Sequence, residues 1–86
     1  MKHFASPDFW KAYSLLPSSI KRKADKNYEL LKNDPYHPSL HFKKINNYWS
    51  VRIGLGYRAL GVDIDDGVLW FWIGSHADYD QLIKSL

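Results

Sequence analysis

The chain has 86 residues, of which 45% are hydrophobic and 16% aromatic, with no cysteine and a formal net charge of +3. That is room for one domain, residues 1 to 86, with an economical aromatic core; it excludes two separate folding units, disulfide staples and thiolate metal sites. No apolar run reaches the length of a membrane span, so no membrane partner is expected, and the absence of cysteine fits a reducing, cytoplasmic setting. The net charge conceals an asymmetry: residues 1–58 carry 11 Lys and Arg against four acids, whereas residues 59–86 carry Lys84 against five acids. The basic part suits a polyanion or an acidic protein partner, although Lys21, Arg22, Lys23 and Lys26 also fit a solvated helix face.

Taken in chain order, Lys2 to Ala5 reads as a short first strand. Ser6 then caps a helix whose first position is Pro7, where the missing N–H costs nothing, and Pro17 opens a second helix in the same way. In that second helix Ile20, Ala24, Asn27, Tyr28 and Leu31 fall on one stripe, and Asn33, Asp34 and Pro35 end it. After the Pro35–Pro38 loop the period becomes two. Trp49, Val51 and Ile53 alternate with Tyr48, Ser50 and Arg52, and Gly54 to Gly56 turns the chain into a strand from Tyr57 to Ile64. Asp65, Asp66 and Gly67 make a second turn. The following strand, Val68 to Ile73, is apolar on both parities and is expected to be central and covered on each side, with Trp70 and Trp72 on one face. Ser75 then caps a last helix, His76 to Ser85, that carries Tyr79, Leu82, Ile83 and Leu86 on one stripe. The predicted fold class is α+β: an N-terminal helical hairpin packed on a small antiparallel sheet of about four strands, with a closing C-terminal helix.

Several strings, in this order and spacing, resemble the RelE/ParE superfamily of toxins from bacterial type II toxin–antitoxin systems. They are Lys43-Lys44-Ile45, Tyr48-Trp49-Ser50-Val51-Arg52, Gly56-Tyr57-Arg58-Ala59-Leu60, and Trp72-Ile73-Gly74 leading into His76. The resemblance implies a toxin neutralised by a cognate antitoxin. Members divide between ribosome-dependent mRNA endonucleases and inhibitors of DNA gyrase, and a shared fold does not choose between them. The nuclease reading implies ribosome and mRNA as partners and no cofactor. The alternative is a non-enzymatic protein of the same fold, either a gyrase inhibitor or a toxin reduced to antitoxin binding.

RNA cleavage without a metal needs a base for the 2′-OH proton, cations for the crowded phosphate and an acid for the departing 5′-oxygen. Arg58, Arg52, His76 and Tyr79 are the candidates for catalysis, and Lys43 and Lys44 for substrate binding. By resemblance Arg58 matches the arginine that contacts the scissile phosphate, and its planar guanidinium suits that anion. Its parity with Leu60, Val62 and Ile64 equally allows a structural arginine at the rim of a core. His76 falls where related nucleases place an Arg or His; at the positive end of a helix dipole a neutral ring could accept a proton, or the residue is an ordinary polar helix start. Tyr79, three residues on, shares its helix face, yet it also belongs to the apolar stripe. Lys43 and Lys44 point to opposite sides of a strand, so only one can serve a given surface. RelE-type enzymes that use lysines carry them inside the following strand, where this chain has only Arg52. His37 and His41 are four apart, but Pro38 breaks a helix between them and no acid completes a metal set.

Overall fold

A computed structural model describes residues 1–85; Leu86, assigned above to the last apolar stripe, lies outside them. The elements are β1 (Lys2–Ala5), α1 (Pro7–Ser14), α2 (Ser18–Asn33), a single 3-10 turn (Pro38–Leu40), β2 (Lys43–Ile45), β3 (Tyr48–Ile53), β4 (Tyr57–Ile64), β5 (Gly67–Ser75) and α3 (His76–Ser85). Ser6 caps α1 as anticipated, its Oγ accepting from the Phe9 N–H at 3.2 Å. Helix α2 begins one residue later than expected, with Pro17 as its cap and no side-chain capping bond.

The strands form one five-stranded sheet in the order β1-β5-β4-β3-β2. The meander β2 to β5 is antiparallel, while β1 lies parallel to β5. The sheet is therefore mixed and larger than the antiparallel four-stranded one expected, and β4, not β5, is its middle strand. Gly67 lets β1 in: a β-carbon there would lie 1.9 Å from the Lys2 carbonyl oxygen, so no other residue tolerates so close an approach.

A bulge at Phe71 decides which side chains meet. Leu60 pairs with Trp72 and Gly61 with Trp70, which leaves Phe71 as the extra residue of β5 and reverses the parity beyond it. Trp70 and Trp72 thus lie on opposite faces, contrary to the reading from plain alternation. Val68, Trp70 and Ile73 join Leu31, Val51 and Ile53 in the core beneath α1 and α2. Trp72 turns to the other face, where its ring lies 6.5 Å from that of Tyr79 in α3.

Under α1 and α2 the polar groups are paired off. The Trp70 indole donates to Nδ1 of His3 at 3.1 Å, and the Tyr13 hydroxyl donates to Asp25 at 2.8 Å, joining the two helices. On the other face α3 is docked by its start: the His76 N–H donates to the Gly56 carbonyl at 2.7 Å, and Ser75 Oγ accepts from the Asp78 N–H at 3.1 Å. Strand β5 therefore delivers His76 to the turn between β3 and β4, at one end of the sheet.

Candidate active site

The three-residue turn Gly54-Leu55-Gly56 is symmetric about Leu55, so Ile53 pairs with Tyr57 and Arg52 with Arg58. Two arginines directly opposite on neighbouring strands repel each other and would weaken the sheet unless something anionic lies between them. Among the described residues neither has an Asp or Glu oxygen within 4.0 Å; the three ion pairs found are Lys32–Glu29, Lys44–Asp63 and His76–Asp80.

Each guanidinium is held by neutral groups. Arg58 donates from Nε to Oγ of Ser50, a fully buried residue, at 3.1 Å, and its Cζ sits 5.0 Å from the centre of the Tyr79 ring. Arg52 donates from Nε to the Gly54 carbonyl at 2.9 Å and approaches His41 Nε2 at 3.2 Å. Its own carbonyl accepts from Asn27 of α2 at 2.9 Å, which fixes the strand end. With Nε occupied in both residues, the remaining guanidinium nitrogens are left to face a ligand, the arrangement a fork-shaped donor offers a phosphate.

Arg52 and Arg58 line one open cleft of about 270 Å³ together with His76, Tyr57 and Leu55. His76 is exposed, with Nδ1 3.7 Å from Asp80, beyond hydrogen-bond length, and its ring 5.8 Å from that of Tyr79. Leu55 stands at the rim, 87% exposed between two glycines. The cleft thus combines two cations, a group able to take or give a proton, and an apolar edge, which is the equipment for holding a phosphodiester beside a base.

The other candidates separate. Tyr79 does not line the cleft; it is buried beneath Arg58, and its hydroxyl is enclosed with no hydrogen-bond partner among the described residues. Its part is to support Arg58 with its ring, and its hydroxyl does not reach a ligand. Lys43 pairs with Ser50 across β2 and β3, which puts it on the arginine face. Lys44 lies on the reverse face, bonded to Asp63 and 5.3 Å from the Trp49 ring centre, so it is removed from the cleft. That lysine, and then the Trp49 indole, hold the Asp63 carboxyl below its ordinary range. His37 and His41 also part: His37 accepts from the Ser39 N–H at the 3-10 turn, while His41 turns to Arg52. Among the described residues no three His, Asp or Glu gather as a metal set.

Ser50, His41 and Leu55 were not singled out from the sequence. Only Ser50 carried a signal, its shared parity with Arg52 on β3. A second cavity of about 230 Å³ lies between the helices and the sheet, walled by Phe9, Trp10, Tyr28, Leu31 and Trp70. Its one ionisable pair is Tyr13 with Asp25, and the hydrogen bond to that carboxylate raises the Tyr13 hydroxyl above its ordinary value. Nothing there addresses an anion.

A family model described as ParE-like toxin domain matches residues 18–81. Among solved structures, the fold resembles that in the RelB–RelE antitoxin–toxin complex from Methanococcus jannaschii, with a TM-score of 0.72 and 19% identity over 92% of this chain and 96% of that one. It also resembles the isolated E. coli RelE toxin, with a TM-score of 0.62 and 14% identity over 98% and 97% of the two chains. A copper-bound mutant toxin from Helicobacter pylori gives a TM-score of 0.61 and 18% identity over 91% and 97%. No curated protein matches the chain by sequence.

Proposed function

Because the chain belongs to the ParE-like toxin domain family and has the RelE/ParE fold, we propose that it is the toxin of a type II toxin–antitoxin pair and cuts mRNA on the ribosome. The observation that carries the nuclease reading is the in-register pair Arg52–Arg58, without a carboxylate partner, in one cleft with His76. The antitoxin partner is supported by the likeness to a toxin seen in complex with RelB.

In this reading the mRNA phosphodiester lies against the free guanidinium nitrogens of Arg52 and Arg58. His76 takes the proton of the adjacent 2′-OH, whose oxygen attacks phosphorus while the bond to the 5′-oxygen breaks. The products are a 2′,3′-cyclic phosphate and a 5′-hydroxyl that takes up a proton from solvent. The two arginines neutralise the charge that builds on the phosphoryl oxygens, where preorganised cations contribute most. Lys43, on the same face, holds a neighbouring part of the strand.

A second reading, inhibition of DNA gyrase, is favoured by the family description itself, which is ParE-like. Induced expression followed by mapping of mRNA 5′ ends decides between the two. New ends inside translated codons, absent in Arg58→Ala and His76→Ala, support cleavage; intact messages accompanied by DNA damage support the gyrase reading and overturn the nuclease.

A further inference from the structure

We infer that the anion-binding surface continues past the cleft: Lys23 and Arg52 form a second phosphate subsite at the turn between β3 and β4, so that a single-stranded nucleic acid leaves the cleft over Gly54 toward α2. This inference rests on the nucleic-acid reading of the cleft.

Arg52 reaches Gly54 from the face that carries α3, its Nε 2.9 Å from the Gly54 carbonyl. Lys23 reaches the same residue from α2, on the opposite face: a β-carbon placed on Gly54 would lie 3.3 Å from its Cδ and 3.6 Å from its Nζ. Gly54 adopts a left-handed φ of 58° and carries no side chain, and both features keep this approach open. Asn27, one turn further along α2 on the same helix face, holds the Arg52 carbonyl at 2.9 Å. One stripe of α2 therefore both anchors the end of β3 and brings a lysine to its turn.

The acids on α2 do not neutralise that lysine. Asp25 accepts from Tyr13 and Glu29 pairs with Lys32, and Lys23 has no carboxylate oxygen within 4.0 Å among the described residues. Around Gly56 there is nothing within 4 Å of a β-carbon position, and the Leu55 side chain projects into solvent. The turn thus gives a thin, unobstructed edge bracketed by positive charge. A flexible phosphodiester chain can cross such an edge, whereas a broad duplex meets it only at one side.

The test is the affinity of the full chain for a short unstructured RNA at several salt concentrations, by fluorescence anisotropy. Each phosphate released from a single strand flattens the plot of log affinity against log salt by about 0.7. Lys23→Ala is expected to reduce the slope by that amount and weaken binding about fivefold near 0.1 M salt. Lys23→Arg restores both, and the distant Lys84→Ala changes neither. If Arg58→Ala weakens binding while Lys23→Ala leaves affinity and slope unchanged, the second subsite is wrong and the cleft stands. No binding by the unaltered protein overturns both.

Discussion

Lys43 and Lys44 are neighbours in sequence and opposites in circumstance. Lys44 faces the helix side of the sheet, where Asp63 and Trp49 take up its charge. Lys43 faces the other side, beside Ser50 and the opposed Arg52 and Arg58, with no anion among the described residues. The same contrast divides the whole sheet. The face under α1 and α2 is a core, its polar atoms paired as His3 with Trp70 and Tyr13 with Asp25. The cleft end of the other face concentrates like charge, a conflict a folding core avoids and a ligand site keeps.

The contrast breaks first at Arg58. Arg58→Ala is expected to lower RNA cleavage about 10²- to 10³-fold, the usual effect of losing one preorganised electrostatic group. It should change unfolding free energy by less than about 1 kcal/mol, because relief of repulsion offsets the lost contacts with Ser50 and Tyr79. Denaturant melts run beside the cleavage assay check this; a large loss of stability would make Arg58 a structural arginine. Leu31→Ala is the mirror experiment on the helix side. Leu31 is 3% exposed in the core, and its truncation should cost about 2–5 kcal/mol in the same melts while protein that remains folded keeps its cleavage rate.

The lysine pair sharpens the comparison at a smaller scale. Lys43→Ala should weaken binding of an unstructured RNA about fivefold near 0.1 M salt, whereas Lys44→Ala should leave it unchanged. Equal effects in the anisotropy assay would mean that the face assignment does not govern binding.

The smallest effect concerns pH. Partial burial, and then the charge of the chain's N-terminus, lower the His3 pKa from its ordinary 6.5, and its Nδ1 must stay unprotonated to accept from Trp70. The unfolded chain then takes up the proton first. The contribution of His3 to stability is complete above pH 6.5 and declines as pH falls from there toward the folded value. His3→Gln should flatten that part of the stability profile; an unchanged profile would remove His3 from the account.

Much of this was legible in the residues. Ser6, Pro7 and Ser75 marked helix starts, because caps are local chemistry. The Gly54-Leu55-Gly56 turn is equidistant from Arg52 and Arg58, so the hairpin and its opposed cations could be read together. Less visible was whatever depends on meetings across the fold. The bulge at Phe71 leaves no mark in an unbroken apolar run, and it separated Trp70 from Trp72. The parallel pairing of β1 beside Gly67 joins segments more than 60 residues apart. Tyr79 carried two compatible readings, and only burial showed that its ring, not its hydroxyl, meets Arg58.

The most direct test is an NMR titration of the unaltered protein with a short single-stranded RNA, following backbone amides. The account predicts that the largest shift changes fall at residues 52–58 and 74–79, with little change along α1 or at Leu31 and Trp70. Shifts concentrated instead on the cavity beneath α1 and α2, or none at saturating RNA, would contradict it.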